Sequence, residues 1–363
     1  MMAQSFGPRP KFYTWLVFDG TAYIDTDIVP PEDATFNVSG GAELNRAAQR
    51  LFQQTSTTGY YRTVFEGTST TATTRSISAS YNSSSSVITR TMGFGSPFYS
   101  LFLTPNGLGW GTSFESFTKG EGTVDGALCI GAYFNRSSNP YSGAFGTFNI
   151  YGSDAQNVTT ASDLSNYTAV KKLRPCIYEG EDGFWNVQDG CFYGNSASSG
   201  SVSVAERIGF DVSSYDTTSY SYASVSNISN AYAGYTSTTT ARINLKTGSG
   251  AETYVYFKFD LSSLPADATI VRVCCMVKTS LSAVTNSIIA TKNVRMYSGT
   301  TAKGTATSIT ATGAQTYNLD VGTWTKEELA DARVRIYAKR GSSGTSSNYY
   351  FNFYGATLYV FYK

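Results

Sequence analysis

The sequence predicts an all-β protein of two antiparallel, jelly-roll-like β-sandwich domains with very little helix. Three observations lead to this fold class. Aromatic residues make up 15% of the 363-residue chain and include 27 tyrosines. Charged residues are also only 15%, against about 25% in typical domains. Finally, many short segments alternate apolar and polar residues with a period of two, which indicates half-buried strands.

The length of the chain favours two domains over one. Residues 1–11 contain two prolines and few core candidates, so we predict an extended N-terminal arm there. The first domain is predicted at residues 12–195 and the second at residues 206–363. The small polar residues of 196–205 predict a linker between them.

Two segments of the first domain carry local signals. Pro105-Asn106-Gly107 separates two strand candidates and predicts a hairpin. In residues 43–54 (ELNRAAQRLFQQ), the apolar side chains fall at helical spacing. This segment is therefore either a short helix or an irregular strand.

The second domain shows the sharper alternation, in residues 253–261 and 333–340. The predicted core-facing residues are Val255, Phe257, Phe259, Leu261, Val334 and Ile336. The predicted outward-facing residues are Tyr254, Tyr256, Lys258, Asp260, Arg333, Arg335 and Tyr337. A short helix is expected near Thr325–Asp331, where Thr325 and Glu328 have the spacing of a capping box.

Charge and cysteine usage limit the partners and the compartment. The formal net charge is +1, so no basic field attracts nucleic acid. No apolar stretch approaches the length of a membrane-spanning helix, which predicts no membrane insertion. The five cysteines lack metal-binding or redox spacing, so we expect buried thiols and folding in a reducing cytoplasm.

The sequence contains no histidine. This excludes a Ser–His–Asp triad, a Cys–His pair and every histidine-containing metal site. We therefore predict a non-enzymatic protein without a cofactor. Two alternatives stay open: paired carboxylates could support a polysaccharide hydrolase, and Asp25 and Asp27, on one face of a predicted strand, are weak candidates for Ca²⁺ ligands.

Exposed aromatic rings are the candidate ligand-binding groups. A tyrosine ring has an apolar face and a polar tip, which suits both the CH groups and the hydroxyls of a sugar. The alternative is that these rings pack within the sheet or against a second subunit. The candidates on predicted outward faces are Tyr254, Tyr256, Tyr337, Tyr350, Tyr354 and Tyr359.

The first half resembles the concanavalin/laminin-G-like modules found in phage structural proteins. The resemblance rests on an opening strand in Phe18–Ile28, on paired strands in Leu128–Phe134 and Gly143–Gly152, and on the closing segment Lys171–Asn195. It covers most of residues 10–205 and implies a sandwich fold. It transfers no ligand-binding residue, because the match is to the framework of the family.

The second half resembles C-terminal β-sandwich modules of phage tail and head-appendage proteins. Phe257–Pro265, Ala268–Val273 and Tyr354–Tyr362 carry this resemblance. It implies a virion surface protein, folded in the host cytoplasm and displayed as a head fibre, capsid decoration or tail appendage. Its expected partners are other virion proteins, further copies of itself in a homo-oligomer, and a host surface glycan. A glycan-binding adhesin or a receptor-binding tail protein is the alternative.

Overall fold

The computed structural model confirms the all-β class. It describes residues 8–43, 49–56, 58–68, 74–86, 88–93, 98–132, 141–216, 224–309, 312–322, 324–341 and 349–363. The chain divides into two compact units with a boundary between Glu206 and Arg207. Within the described residues, no helix is both long and apolar enough to cross a membrane.

The first unit is built from short antiparallel strands. In chain order these are β1 (Lys11–Phe12), β2 (Trp15–Asp19), β3 (Ile24–Asp25), β4 (Thr35–Glu43), β5 (Gln49–Thr55), β6 (Tyr61–Thr68), β7 (Thr74–Ser83), β8 (Ile88–Gly93), β9 (Phe98–Thr104), β10 (Gly107–Trp110), β11 (Ser113–Ser116), β12 (Leu128–Ile130), β13 (Ser142–Phe145), β14 (Thr147–Tyr151), β15 (Ala169–Tyr178), β16 (Glu181–Asn186) and β17 (Cys191–Gly194). Two 3₁₀ turns, Ser153–Ala155 and Asp163–Asn166, lie between β14 and β15.

These strands form a sandwich. One sheet contains β3, β12, β5, β6, β7 and β8, and the other is organised around β4, which pairs with β9, β13 and β14. The rings of Phe36 on β4 and Phe52 on β5 stack with centroids 5.0 Å apart. Phe148 on β14 contacts Phe52 edge-on at 5.2 Å. All three rings are fully buried, so they join the two sheets into one core.

The structure tests several of the local predictions for the first unit. The predicted hairpin is present, because β9 and β10 pair with Gly107 opposite Thr104. Gln49–Thr55 is a strand, so this part of the ambiguous segment is not helical, while residues 44–48 lie outside the described residues. Strand pairing also reaches into both predicted connecting segments. Lys11 pairs with Ile177, and Val202–Ala205 pair with β2 instead of forming a linker.

The second unit contains ten strands and two short α-helices among its described residues. They are β18 (Val202–Tyr215, whose first residues belong to the first unit), β19 (Ser224–Ser226), β20 (Ala241–Asn244), β21 (Glu252–Phe259), β22 (Ile270–Leu281), α1 (Ala283–Ile288), β23 (Ile289–Ser298), β24 (Thr301–Ser308), β25 (Gly313–Gly322), α2 (Lys326–Ala330), β26 (Ala332–Arg340) and β27 (Tyr350–Tyr362). A 3₁₀ segment, Ile228–Ala233, follows β19.

The second unit is also a sandwich. We call the sheet with the order β18-β21-β26-β23-β24 the front sheet. The sheet with the order β19-β20-β27-β22-β25 is the back sheet. Phe257 of the front sheet meets Phe353 of the back sheet at a centroid distance of 4.2 Å. The core-facing residues predicted from the alternation are buried, except that Leu261 is only partly buried.

The predicted capping box is present at α2. The Thr325 hydroxyl accepts a hydrogen bond from the Glu328 backbone N–H, and the Glu328 carboxylate accepts one from the Thr325 N–H. These two bonds satisfy donors that the first turn of a helix otherwise leaves unpaired. The sequence therefore located this helix correctly.

The outward side of the back sheet is covered by the chain that follows β19. Tyr235 and Met276 form a small buried apolar cluster, against which Tyr359 packs. Gly355 of β27 lies so close to the carbonyl oxygens of Gly234 and Ala231 that a Cβ atom there would clash with both. Around Met276 and Gly355, this side of the back sheet is therefore an interior surface.

Candidate functional site

The outward side of the front sheet gathers tyrosine rings from neighbouring strands. Tyr254 on β21 lies directly opposite Tyr337 on β26, and their ring centroids are 6.4 Å apart with an interplanar angle of 30°. Both rings are partly exposed. Cross-strand pairs of this kind stabilise a sheet. At the same time, these two adjacent rings are both partly open to solvent.

Two further tyrosines lie beside this pair on the same face. Tyr256 contacts Tyr254 edge-on at 6.2 Å and Tyr297 on β23 edge-on at 5.1 Å. Tyr256 and Tyr297 are only 5% and 6% exposed. The prediction that the Tyr256 ring is exposed is therefore wrong, because the ring packs edge-on against Tyr254 and Tyr297 on the same face. We call Tyr254, Tyr256, Tyr297, Arg335 and Tyr337 the tyrosine face.

Arg335 lies between two rings of this face. Its guanidinium carbon is 4.8 Å from the Tyr297 ring centroid and 5.1 Å from that of Tyr337. Stacking of a guanidinium on tyrosine is a favourable cation–π contact of about 0.5–1 kcal/mol when exposed. Nη2 of Arg335 donates to Asn293 Oδ1 at 3.4 Å. Arg335 thus orders the face and brings a positive charge to it.

An ion pair borders the tyrosine face at one end. Lys339 Nζ lies 2.9 Å from Glu252 Oε1. The hydrogen bond and charge of Lys339 lower the pKa of Glu252. Burial, followed by the charge of Glu252 and a hydrogen bond to it, raises the pKa of Tyr337.

At the other end of the face, Arg333 is held by two carboxylates. Its Nη1 lies 3.1 Å from Asp216 Oδ2, and its Nη2 lies 2.8 Å from Asp331 Oδ2. The Arg333 side chain is only 12% exposed. Arg333 therefore serves the local structure rather than a surface ligand.

The other three predicted tyrosines belong to the back sheet and are not brought to the tyrosine face. The Tyr350 ring lies 4.8 Å from the Arg242 guanidinium, and the Tyr354 ring lies 4.5 Å from Lys278 Nζ. Tyr359 is half-buried beneath Arg207, at 5.4 Å, and burial raises the pKa of Tyr359. The six tyrosines therefore do not form one site.

Sequence reasoning missed Tyr297 as a member of the face. The signal was present, since Asn293, Arg295 and Tyr297 alternate with the buried Val294 and Met296 along β23. It carries the same period of two that identified Tyr254 and Tyr337. Nothing local, however, shows that β23 pairs with β26, which places Tyr297 beside Arg335.

Asp25 and Asp27, the calcium-ligand candidates, make separate hydrogen bonds. Asp25 is in β3 and its backbone N–H donates to Ser196 Oγ at 2.9 Å. Asp27 lies beyond the strand and accepts a hydrogen bond from the Tyr193 hydroxyl. Among the described residues, no group of three or more His, Cys, Asp or Glu side chains is arranged to hold a metal ion.

The second unit also has a surface cavity of about 310 Å³, lined by Asn286, Ala290, Thr291, Lys292, Ser308 and Ile309. Burial lowers the pKa of Lys292. Its Nζ donates to the backbone carbonyls of Asn286 and Ile289, each at 3.3 Å. This lysine therefore satisfies carbonyl groups at the end of α1, a structural role.

No family model matches the chain, and no curated protein matches it. Among solved structures, the native heptameric SAP-like pentraxin from Limulus polyphemus has a TM-score of 0.34 and 13% identity, covering 50% of this chain and 94% of its own. The xylan-binding module CBM15 has a TM-score of 0.25 and 10% identity, covering 43% of this chain and 96% of its own.

The mouse laminin alpha1 chain, domains LG4-5, has a TM-score of 0.30 and 9% identity, covering 99% of this chain and 86% of its own. At such scores and identities, these similarities assign no ligand and no partner to this chain. None of the three names describes a virion protein.

Proposed function

We propose that the protein is a non-enzymatic, glycan-binding β-sandwich protein that binds carbohydrate through the tyrosine face of its second unit. The observation that carries this proposal is the pairing of the partly exposed Tyr254 and Tyr337 rings on adjacent strands, 6.4 Å apart. Two such rings form an apolar platform for the CH face of a sugar. The Tyr337 hydroxyl, Glu252 and Lys339 add polar groups at its edge.

The absence of histidine from the sequence supports a non-enzymatic role. The hydrogen bonds of two carboxylates in the first unit support it as well. Asp19 accepts hydrogen bonds from the Thr21, Ala22 and Ser201 backbone N–H groups, and Asp27 accepts one from Tyr193. Carboxylates engaged in this way hold loops together. Release of product from purified capsule or cell-wall polysaccharide would contradict the non-enzymatic proposal.

The binding test compares three tyrosine variants of the full chain on a glycan array, followed by titration calorimetry with the best-bound glycan. We expect Tyr254→Ala and Tyr337→Ala each to weaken binding about tenfold, which corresponds to about 1.4 kcal/mol. Tyr350→Ala is the matched control, since it removes a similarly exposed, Arg-stacked tyrosine from the back sheet. Thermal unfolding checks that all three variants remain folded.

Two results contradict this proposal. One is that the unmodified protein binds no glycan on the array. The other is that Tyr350→Ala loses binding while Tyr254→Ala and Tyr337→Ala keep it, because the ligand would then lie on the back sheet.

We further propose that the protein is displayed on a phage virion as a head fibre, capsid decoration or tail appendage, as a homo-oligomer. The resemblance of both halves to phage structural modules supports this location. The five cysteines, all thiols, agree with folding in a reducing host cytoplasm. Four of them are buried as expected, but Cys191 is exposed, so the expectation that all five are buried is wrong.

Mass spectrometry and immunogold labelling of purified particles test the virion proposal, and absence of the protein from those particles contradicts it. Light scattering on the purified protein tests the oligomer separately. The predicted extended N-terminal arm is shorter than residues 1–11, since Lys11 belongs to β1, and residues 1–7 lie outside the described residues.

A further inference from the structure

We propose that the tyrosine face selects acidic glycans, those that carry carboxylate or sulfate groups, over neutral ones. This inference rests on the proposed glycan-binding function and adds the class of ligand. It comes from the charges that alternate with the tyrosines on the outward side of β21, β23 and β26. Those charged residues are Glu252, Lys258, Arg295, Arg333, Arg335 and Lys339.

The balance of these charges is strongly positive, with five cations and one anion. Two cations are already neutralised, because Lys339 pairs with Glu252 and Arg333 pairs with Asp216 and Asp331. The other three, Lys258, Arg295 and Arg335, form no ion pair with any residue that the structure describes. The whole chain has a net charge of only +1, so this excess is a local property of one sheet face.

Arg335 is the best-positioned of these three cations. Its guanidinium is stacked between two tyrosine rings, at 4.8 Å and 5.1 Å. Within the described part of the chain, its one hydrogen bond joins Nη2 to a neutral acceptor, Asn293 Oδ1. A buried Arg335 Nε finds no acceptor there. Because Nε is buried, the donor capacity for a carboxylate or sulfate oxygen lies in the terminal nitrogens Nη1 and Nη2, and charge-assisted bonds from them are strong.

Arg295 extends the positive charge along the same row. In the sheet register, Arg295 on β23 lies opposite Arg335, which in turn lies opposite Tyr256. Arg295 Nε donates to the Gly304 carbonyl at 3.0 Å, so the side chain is held at the face by a neutral acceptor. Two neighbouring arginines repel each other unless an anion lies between them. A chain of acidic sugars supplies both that anion and the ring faces that stack on Tyr254 and Tyr337.

The test is a glycan array in which each uronate-containing or sulfated glycan is paired with its carboxyl-reduced or desulfated form. We expect the acidic member of the best-bound pair to bind at least tenfold more tightly at low salt. If the neutral members bind equally well or better, the inference is wrong while the glycan-binding function stands. If no glycan binds, both fall. Tighter binding of a single-stranded DNA oligonucleotide than of every acidic glycan also overturns the inference, because the face would then recognise phosphate.

Two arginine variants locate the selectivity. Arg335→Gln should weaken binding of the best acidic glycan about tenfold at low salt, and the loss should shrink as salt screens the charge. Binding of the paired neutral glycan should weaken much less, because only the contribution of Arg335 to ordering the rings is lost there. Arg242→Gln is the matched control, since Arg242 stacks on Tyr350 in the back sheet, and it should leave both affinities unchanged. Equal losses for the acidic and neutral glycans in Arg335→Gln would show a purely structural role and overturn the inference.

Discussion

The two sheets of the second unit have the same alternating pattern but different outward surfaces. On the back sheet, the outward side chains Cys274, Met276 and Thr357 are at most 7% exposed, and Tyr235 packs over them. On the front sheet, the outward side chains of Tyr254, Arg335 and Tyr337 are partly open to solvent. Around Met276, the back sheet is covered on both sides, whereas the front sheet has one interior side and one side partly open to solvent.

This difference determines which of the outward-facing tyrosines can bind a ligand. Tyrosines on a covered sheet, such as Tyr359, contribute to packing and cannot stack on a ligand. The partly exposed tyrosines of the open sheet are held by the buried rings beside them and by Arg335, which stacks on Tyr297 and Tyr337. The open sheet is therefore the surface on which we place ligand binding.

The largest difference between the two sheets is expected when a charge is placed on the outward side of each. Met276→Asp puts a carboxylate into the buried cluster of the back sheet, and we expect the free energy of unfolding to fall by about 3 kcal/mol or more. Thr291→Asp, on the outward side of the front sheet and exposed, should change it by only about 0.5 kcal/mol. Urea unfolding measures both. Similar losses in the two variants would mean that the back sheet is not covered.

A smaller effect is expected from adding a single methyl group under the covering segment. Gly355 has φ +146°, and its Cβ would lie 2.7 Å from the Ala231 carbonyl oxygen. We expect Gly355→Ala to cost about 2–3 kcal/mol, since both backbone strain and a clash contribute. Gly313 in the same sheet has φ +81°, but a Cβ atom added there would meet no atom within 4 Å, which makes Gly313→Ala the control. It should cost about 1 kcal/mol from strain alone, and thermal unfolding compares the two variants.

The smallest effect is expected at the ion pair on the open face. Lys339 lowers the pKa of Glu252 below its ordinary 4.5, so the pair stabilises the fold above about that pH. This stabilisation is lost as the pH falls through the folded-state pKa. Both side chains are more than 40% exposed, at 44% and 43%, and solvent screening keeps the contribution small.

Unfolding of the Glu252→Gln variant across pH isolates this contribution. Its stability should differ slightly from that of the unmodified protein near neutral pH and should match it in acid. A difference that persists in acid would show that Glu252 acts through something other than its charge.

Local signals predicted a large part of the fold and a smaller part of the site. The capping box at Thr325, the turn at Pro105-Asn106 and the buried rows through Phe257 and Val334 need only neighbouring residues, and all are present. The burial of Tyr256 and the contribution of Tyr297 were not predicted. They depend on the register between β21, β26 and β23, strands separated by many residues of sequence.

The sequence by itself determined the all-β class and the side of each strand that each residue occupies, because a strand alternates its side chains every residue whatever surrounds it. Only the tertiary structure decided which outward rows stay in contact with solvent. That outcome depends on where the segment after β19 packs, a long-range contact that no local pattern encodes. For the same reason, Tyr359 is half-buried beneath Arg207, whereas Tyr254 and Tyr337 lie on the open face.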